Sequence, residues 1–288
     1  MNNVRVVESG SPYSLDYRIF YESETGVPIS PWHDIPIYAD ESQRIYNMVC
    51  EIPRWTNAKM EIATAERLNP IKQDIKKGAL RFVNNVFPHK GYIWNYGAIP
   101  QTWENPKHVD PDTGAVGDND PIDICEVGHR ICERGEIIQV KVLGTLALID
   151  EGETDWKLIA INIRDPMAAQ LNDITDVDKL MPGYLKATHE WFRFYKVPTG
   201  KPENQFAFNG QYKNKEYAER VIDQTHDFWT ENIGAVDSGD LDWSNVSIEG
   251  SPHKITLEAA QLATQMKLPH GPDHPVDSQV DKWHFVVT

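Results

Sequence analysis

Cysteine is scarce in this chain: Cys50, Cys125 and Cys132 are the only three among 288 residues. They form neither an even framework nor a metal-finger spacing, so they predict reduced, packed thiols in a cytoplasmic protein rather than a disulfide scaffold. Basic charge is short as well, with 28 Lys plus Arg against 43 Asp plus Glu and a formal net charge of −15. That balance argues against nonspecific binding to nucleic acid or to an anionic membrane, both of which need basic surface. Long apolar runs are missing. The longest, near Val142–Ile149, falls far short of the ~20 residues that span a bilayer. The opening Met1-Asn2-Asn3-Val4-Arg5 has no apolar core of a signal peptide, so no secretion is expected and the Asn245-Val246-Ser247 triplet carries no glycan. Equally absent are a Walker loop, a Gly-x-Ser-x-Gly elbow, a His-Glu-x-x-His zinc helix and any repeat of 20–50 residues. The histidines are scattered, and His89, His189 and His226 read as surface or packing residues.

What is present reads as strands first and helices later. From about Arg18 to Ile163, short apolar or alternating runs are separated by Pro, Gly, Asn and Asp: Ile45–Ile52, Ala58–Ala63, Leu80–Val86, Ile137–Ile149 and Trp156–Ile163. Many short strands so punctuated predict a closed barrel or a sandwich. Helical spacing then places Leu185, Trp191, Phe192 and Tyr195 together in Gly183–Lys196, and Tyr217, Val221, Ile222, Thr225, Phe228 and Trp229 together in Glu216–Trp229. Beyond Gly234 the composition turns to Asp, Ser, Gly and Pro, with one short helical candidate at Thr256–Met266. The expectation is one α+β domain over 1–288, with strands and helices in about 14–233 and an extended tail over about 234–288.

Chemistry concentrates in four segments. Gly117-Asp118-Asn119-Asp120-Pro121-Ile122-Asp123 holds three carboxylates in six residues. Like charges at ~4 Å repel by about 4 kcal/mol at an effective dielectric of 20, a cost that hard oxygen-loving cations such as Mg²⁺, Ca²⁺ or Mn²⁺ remove. A solvated acidic turn is the other reading, although Pro121 and the lack of a glycine at the sixth position exclude an EF-hand. The second segment, Asp150–Lys157, joins two apolar strands. If Glu151–Thr154 form a four-residue loop, Asp150 faces Asp155 across the ladder. Parity then aligns Asp150 with Leu148, Leu146, Val142 and Val140, and Asp155 with Lys157, Ile159, Ile161 and Ile163. Charges at the end of an apolar face point to a site. Third, Lys59 and Glu61 share one face of a strand that follows Glu51-Ile52-Pro53-Arg54-Trp55; a surface ion pair is the alternative. Fourth, Tyr92 and Tyr96 lie between Gly91 and Gly97, glycines that permit close backbone approach. With Arg81, Lys157, Tyr195 and Lys196 added, the inventory suits a polyanionic phosphate held through cations and neutral hydroxyl donors.

These segments resemble the soluble family I inorganic pyrophosphatases in their eukaryotic, animal-like form. The Asp118–Asp123 signature carries the resemblance, with Glu51–Trp55, Lys59, Glu61, Arg81, Gly91–Gly97, Asp150–Lys157 and Tyr195-Lys196 in the same order. It extends over roughly Ser14–Ile233 and resumes at Asp281-Lys282-Trp283, with a poor match over Gly234–Val280. The resemblance implies a small five-stranded OB-like closed barrel with flanking helices, a cytoplasmic homodimer with Trp55 near its interface, and Mg²⁺-dependent hydrolysis of pyrophosphate to two orthophosphates. Several Mg²⁺ ions would bind per site, Mn²⁺ would substitute and Ca²⁺ would inhibit. It further implies Asp118, Asp123 and Asp155 on the first ion, Asp123 bridging to a second, Asp150 and Asp155 on an ion that arrives with substrate, and Glu61 on another, with Glu51 behind them. Lys59, Arg81, Lys157, Tyr195, Lys196 and Tyr96 would bind phosphate. Asp120 would deprotonate a water shared between two cations for in-line attack, and Tyr92 would donate a proton. Other metal-dependent phosphohydrolases and a nonenzymatic Ca²⁺-binding barrel are the alternatives.

Overall fold

Ile45–Ile52 (β1) is apolar except at Asn47 and Glu51 because both of its faces are covered, and it is buried along almost its whole length. A computed structural model describes residues 4–236, 239–265 and 267–286 and shows an α+β fold around this strand. Asn95–Ala98 (β2) pairs antiparallel with β1, and Asp123–Glu126 (β3) pairs antiparallel with β2. The long strands Ile137–Asp150 (β4) and Glu153–Asn162 (β5) form a hairpin. β5 runs parallel to β3, and the first part of β4 pairs antiparallel with β1, so the ladders lead from β1 back to β1. A second sheet, built from Arg5–Ser9, Arg18–Glu22, Pro28–Ile29, Met60–Ile62 and Ile71–Gln73, stands outside this set. Where β2 meets β1 the register shifts between Tyr96 and Gly97. A Cβ on Gly97 would lie 1.9 Å from the Val49 carbonyl oxygen, so only glycine permits the approach.

The β4–β5 hairpin departs from the expected four-residue loop. Asp150 pairs with Glu153, and Asp155 lies opposite Leu148. Glu151 and Gly152 take φ of 52° and 99°, the left-handed pair that a two-residue turn requires. The register thus differs by two residues, which leaves side-chain parity unchanged. A bulge between Val142 and Gly144 alters it further back. Leu146 and Leu148 share a core layer with Leu143, Ile159 and Ile161, whereas Val140 and Val142 face the other layer with Leu158 and Ala160. The expected strand Leu80–Val86 is also divided: Ala79–Leu80 closes a small hairpin on Ile75–Lys76, and Asn85–Val86 pairs in parallel with Trp283–His284.

Helices cover the sheet. Ile174–Leu180 (α1), not foreseen from the sequence, starts at a capping box in which Asp173 and Asp176 satisfy each other's amides. Tyr184–Phe194 (α2) buries Leu185, Trp191 and Phe192, and Lys215–Ile233 (α3) buries Val221, Ile222, Thr225 and Trp229, close to the expected faces. In the tail, Thr256 caps Leu257–Ala263 (α4) through the Ala259 amide. That helix is shorter than the expected Thr256–Met266, whose last residue lies outside the described residues. No helix among the described residues is long and apolar enough to cross a membrane.

The tail is fixed to the body by an aromatic cluster around His33. Trp243 is 2% exposed and stacks on His33 at 5.2 Å, with Trp32 on the imidazole's other contact at 4.4 Å. Trp229 Nε1 donates to His33 Nδ1 at 3.0 Å, which leaves Nε2 to donate to the Asp242 carbonyl at 3.1 Å. The neutral ring is therefore fully bonded, and a proton on Nδ1 would face another N–H. Burial lowers the His33 pKa to about 3, against about 6.5 in the unfolded chain. Between these values the unfolded state binds the extra proton. His33 therefore contributes stability that is complete above pH 6.5 and is lost as pH falls toward 3. Unfolding free energies from urea titrations between pH 7 and 5 should fall more steeply for the wild-type chain than for His33→Asn, by on the order of 1 kcal/mol per pH unit; equal slopes would contradict the assignment.

Candidate active site

The functional segments meet because the ladders bring their ends together. Asp123 opens β3, where its register partners are Ala98 on β2 and Lys157 on β5. Lys157 is 3% exposed and donates to the carboxylates of both Asp123 and Asp155. It also reaches the Tyr96 hydroxyl at 3.0 Å, and Tyr96 in turn donates to Asp123 at 2.5 Å. Burial opposes the charge on Lys157, yet Asp123 and Asp155 together hold its pKa well above the usual lysine range. Asp150 at the end of β4 accepts from Lys196 and, at 3.2 Å, from the Tyr195 hydroxyl, both just past the C-terminus of α2. Lys59 and Glu61 pair where the outer sheet meets the cleft. Glu51 is buried, and its Oε1 accepts from the Ile62 amide at 2.7 Å.

All fourteen candidates line one polar cavity of about 340 Å³: Glu51, Lys59, Glu61, Arg81, Tyr92, Tyr96, Asp118, Asp120, Asp123, Asp150, Asp155, Lys157, Tyr195 and Lys196. Tyr92 and Tyr96 serve packing as well as the cleft. Tyr92 sits 5.0 Å from Tyr96 and 4.8 Å from Trp191, which stacks on Tyr195 at 4.9 Å. Trp191 Nε1 donates to the Gly91 carbonyl at 2.7 Å, tying α2 to the tyrosine segment.

The acidic loop is shaped by its main chain. Gly117 N donates to Asn105 O at 3.1 Å, Asn119 N to Glu104 O at 2.9 Å, and Glu104 N to Asp120 O at 2.9 Å. A Cβ on Gly117 would come within 2.4 Å of the Glu104 carbonyl carbon, so the loop can lie along this segment only with glycine there. Two residues in such contacts were not expected from the sequence. Asp74 accepts from Arg81 Nη1 at 2.9 Å. Glu104 is 2% exposed and accepts from the Trp156 amide at 3.0 Å. Glu104 stands in an irregular stretch and Asp74 is the single residue between the strands Ile71–Gln73 and Ile75–Lys76, so neither shows the periodicity that marks the other groups.

Carboxylates crowd beyond what the lysines neutralise. Burial pushes the pKa values of Asp118 and Asp155 well above the usual range. Asp120 and Asp123 raise Asp118 further, while Lys157 only partly opposes the rise at Asp155. Asp120 is pushed up to about 7, first by desolvation and then by Glu61. Glu104, Asp118 and Asp155 each offer a carboxylate oxygen, all within 4.8 Å of one another. Oxygen donors this close fit a hard divalent cation. This tight group holds Glu104 where Asp123 was expected; Asp123 is turned to Lys157 and Tyr96.

Residues 48–230 match the family model described as inorganic pyrophosphatase. Inorganic pyrophosphatase 1 of Caenorhabditis elegans is 59% identical over 281 residues, covering 97% of this chain, and the chain spans 65% of that relative's length. The Homo sapiens inorganic pyrophosphatase is 56% identical over 285 residues, 98% of both chains. The solved inorganic pyrophosphatase of Schistosoma japonicum superposes with a TM-score of 0.92 at 52% identity, covering 98% of this chain and 100% of that one. A cleft of paired cations and crowded carboxylates, on a chain so similar along its length, admits one assignment: the chain belongs to the inorganic pyrophosphatase family.

Proposed function

We propose that this cleft hydrolyses inorganic pyrophosphate to two orthophosphates with Mg²⁺ ions as cofactor. The observation that carries the reading is the pairing of every candidate cation with an acid: Lys59 with Glu61, Arg81 with Asp74, Lys157 with Asp123 and Asp155, Lys196 with Asp150. Such pairs can exchange partners. Phosphate oxygens take the lysines and arginine, and divalent ions take the carboxylates, with no charge left buried alone.

In this reading Asp118, Asp123, Asp155, Asp150 and Glu61 hold the cations, and Glu51 braces the strand beside them. When bound, the cations lower the pKa of water and neutralise phosphate charge. Lys59, Arg81, Lys157 and Lys196 grip the two phosphates, with Tyr195 and Tyr96 supplying hydroxyl donors. Asp120 orients the attacking water and accepts its proton at the carboxylate, a role suited to a group poised near neutrality. Tyr92, buried between Tyr96 and Trp191, keeps its proton because burial raises its pKa to about 12, and so serves as a donor toward the cleft.

The same reading takes 1–288 as one domain. The return of the ladders to β1 supports a closed five-stranded OB-like barrel. Exposed aromatics support a homodimer: Trp55, and a group in which Phe87 packs against Trp283 at 5.7 Å and Phe285 at 5.6 Å. The three buried thiols suit a cytoplasmic protein. Orthophosphate release from pyrophosphate tests the activity. Turnover should require Mg²⁺, persist with Mn²⁺ and be suppressed by Ca²⁺ or fluoride. Absence of release with Mg²⁺, or equal release from ATP, would overturn the assignment.

A further inference from the structure

Glu104 is a buried carboxylate in contact with both acidic segments. Its main chain holds the loop, giving its N–H to the Asp120 carbonyl at 2.9 Å and taking the Asn119 N–H at 2.9 Å. Its side chain holds β5, where Oε1 accepts from Trp156 N at 3.0 Å, one residue past Asp155. Oε2 is sealed from solvent and has no hydrogen-bond partner among the described residues. An ionisable oxygen left in that condition is costly, and the arrangement is worse than neutral because Asp118 and Asp155 bring oxygens within 4.8 Å of this carboxylate. Lys157 compensates Asp155 and Asp123, but no cation compensates Glu104, which among the described residues makes no ion pair within 4 Å and has Asp118, Asp155 and Asp123 as its charged neighbours. A cation placed among the three carboxylates would remove the cost.

We propose that Glu104 is the positioning carboxylate of the metal centre. It locks the Gly117–Asp123 loop to β5 so that Asp118 and Asp155 converge, and it adds a third fixed negative charge that raises affinity for a divalent ion. The role rests on the pyrophosphatase reading of the cleft and extends it to a residue the motif does not contain.

Glu104→Gln separates charge from shape, because the amide oxygen can still accept from Trp156 N while the negative charge is gone. Titration of the substrate-free full chain with Mn²⁺ in a calorimeter should show the tightest site weakened about 10- to 100-fold, the range found when groups that support metal ligands are changed. In chelator, the thermal midpoint of the variant should equal or exceed that of wild type, since one of three mutually repelling carboxylates has been removed. A merely structural glutamate would give the reverse pattern. Mn²⁺ affinity within threefold of wild type would overturn the proposal. So would weaker binding accompanied by a lower metal-free midpoint, because collapse of the loop would then account for it. Wild-type chain that bound no Mn²⁺ and released no orthophosphate would instead sink the reading on which the proposal rests.

Discussion

Asp120→Asn is expected to lower kcat by about 10²–10⁴-fold, the span that a positioned general base contributes, with little change in thermal midpoint. The fold has no use for this carboxylate. The loop is held by the Asp120 main chain, whose carbonyl accepts from Glu104 N at 2.9 Å and whose amide donates to Asp118 Oδ1 at 3.1 Å. Asparagine keeps the size and both of those bonds. It also relieves repulsion, because Glu61, Asp123 and Asp155 all act to raise the Asp120 pKa. A loss of turnover without loss of structure therefore isolates proton transfer. Phosphate release at saturating Mg²⁺ and pyrophosphate, beside a melting curve, provides the measurement. Turnover within threefold of wild type would remove Asp120 from the base role and leave the bridging of cations to its neighbours alone.

Much of the cleft could be read from the sequence because its residues violate local patterns. Asp155 and Lys157 interrupt the face that Ile159 and Ile161 continue, and both are buried. A soluble hairpin would have placed such charges on the opposite parity. The error in loop length did no harm, since a register difference of two returns each side chain to its own face. The bulge between Val142 and Gly144 was not readable, because a run that is apolar on both faces shows no break in alternation when one residue is added. Glu104 and Asp74 were invisible for another reason. Their importance lies in partners distant in sequence or in an irregular segment: the Trp156 amide 52 residues on for Glu104, and Arg81 for Asp74. Short elements such as α1 rest on a cap and on tertiary contact rather than on a long periodic face. Likewise, the tail keeps its place through a few anchors, chiefly Trp243 and the Asp242 carbonyl, that no local pattern announces.

Lys157→Met should destabilise the chain in chelator by about 3–5 kcal/mol, the usual cost of removing one partner from a buried ion pair. Methionine fills the space of the lysine stem but gives up the ammonium over the Tyr96 and Phe192 rings, each 5.5 Å from Nζ. What disappears is the charge between Asp123 and Asp155, and with it the bond to the Tyr96 hydroxyl. Two outcomes follow from electrostatics. Protonation of Asp155 can substitute for the lysine, so the deficit relative to wild type should shrink as pH is lowered: a carboxyl whose folded pKa is raised favours the folded state at low pH and loses that contribution as pH rises through the folded value. Divalent ions can substitute as well. Ligand at about 100 times its dissociation constant returns about 2.7 kcal/mol by mass action, so Mg²⁺ or Mn²⁺ should restore much of the stability. Activity should stay low even then, since the variant lacks a cation that grips phosphate. Denaturant unfolding at pH 7 and 5, with chelator and with Mg²⁺, measures all of this on one protein. A variant as stable as wild type in chelator at pH 7 would mean that the Lys157 charge does not hold this pocket, and the exchange of partners on which the proposed mechanism turns would have no charge to move.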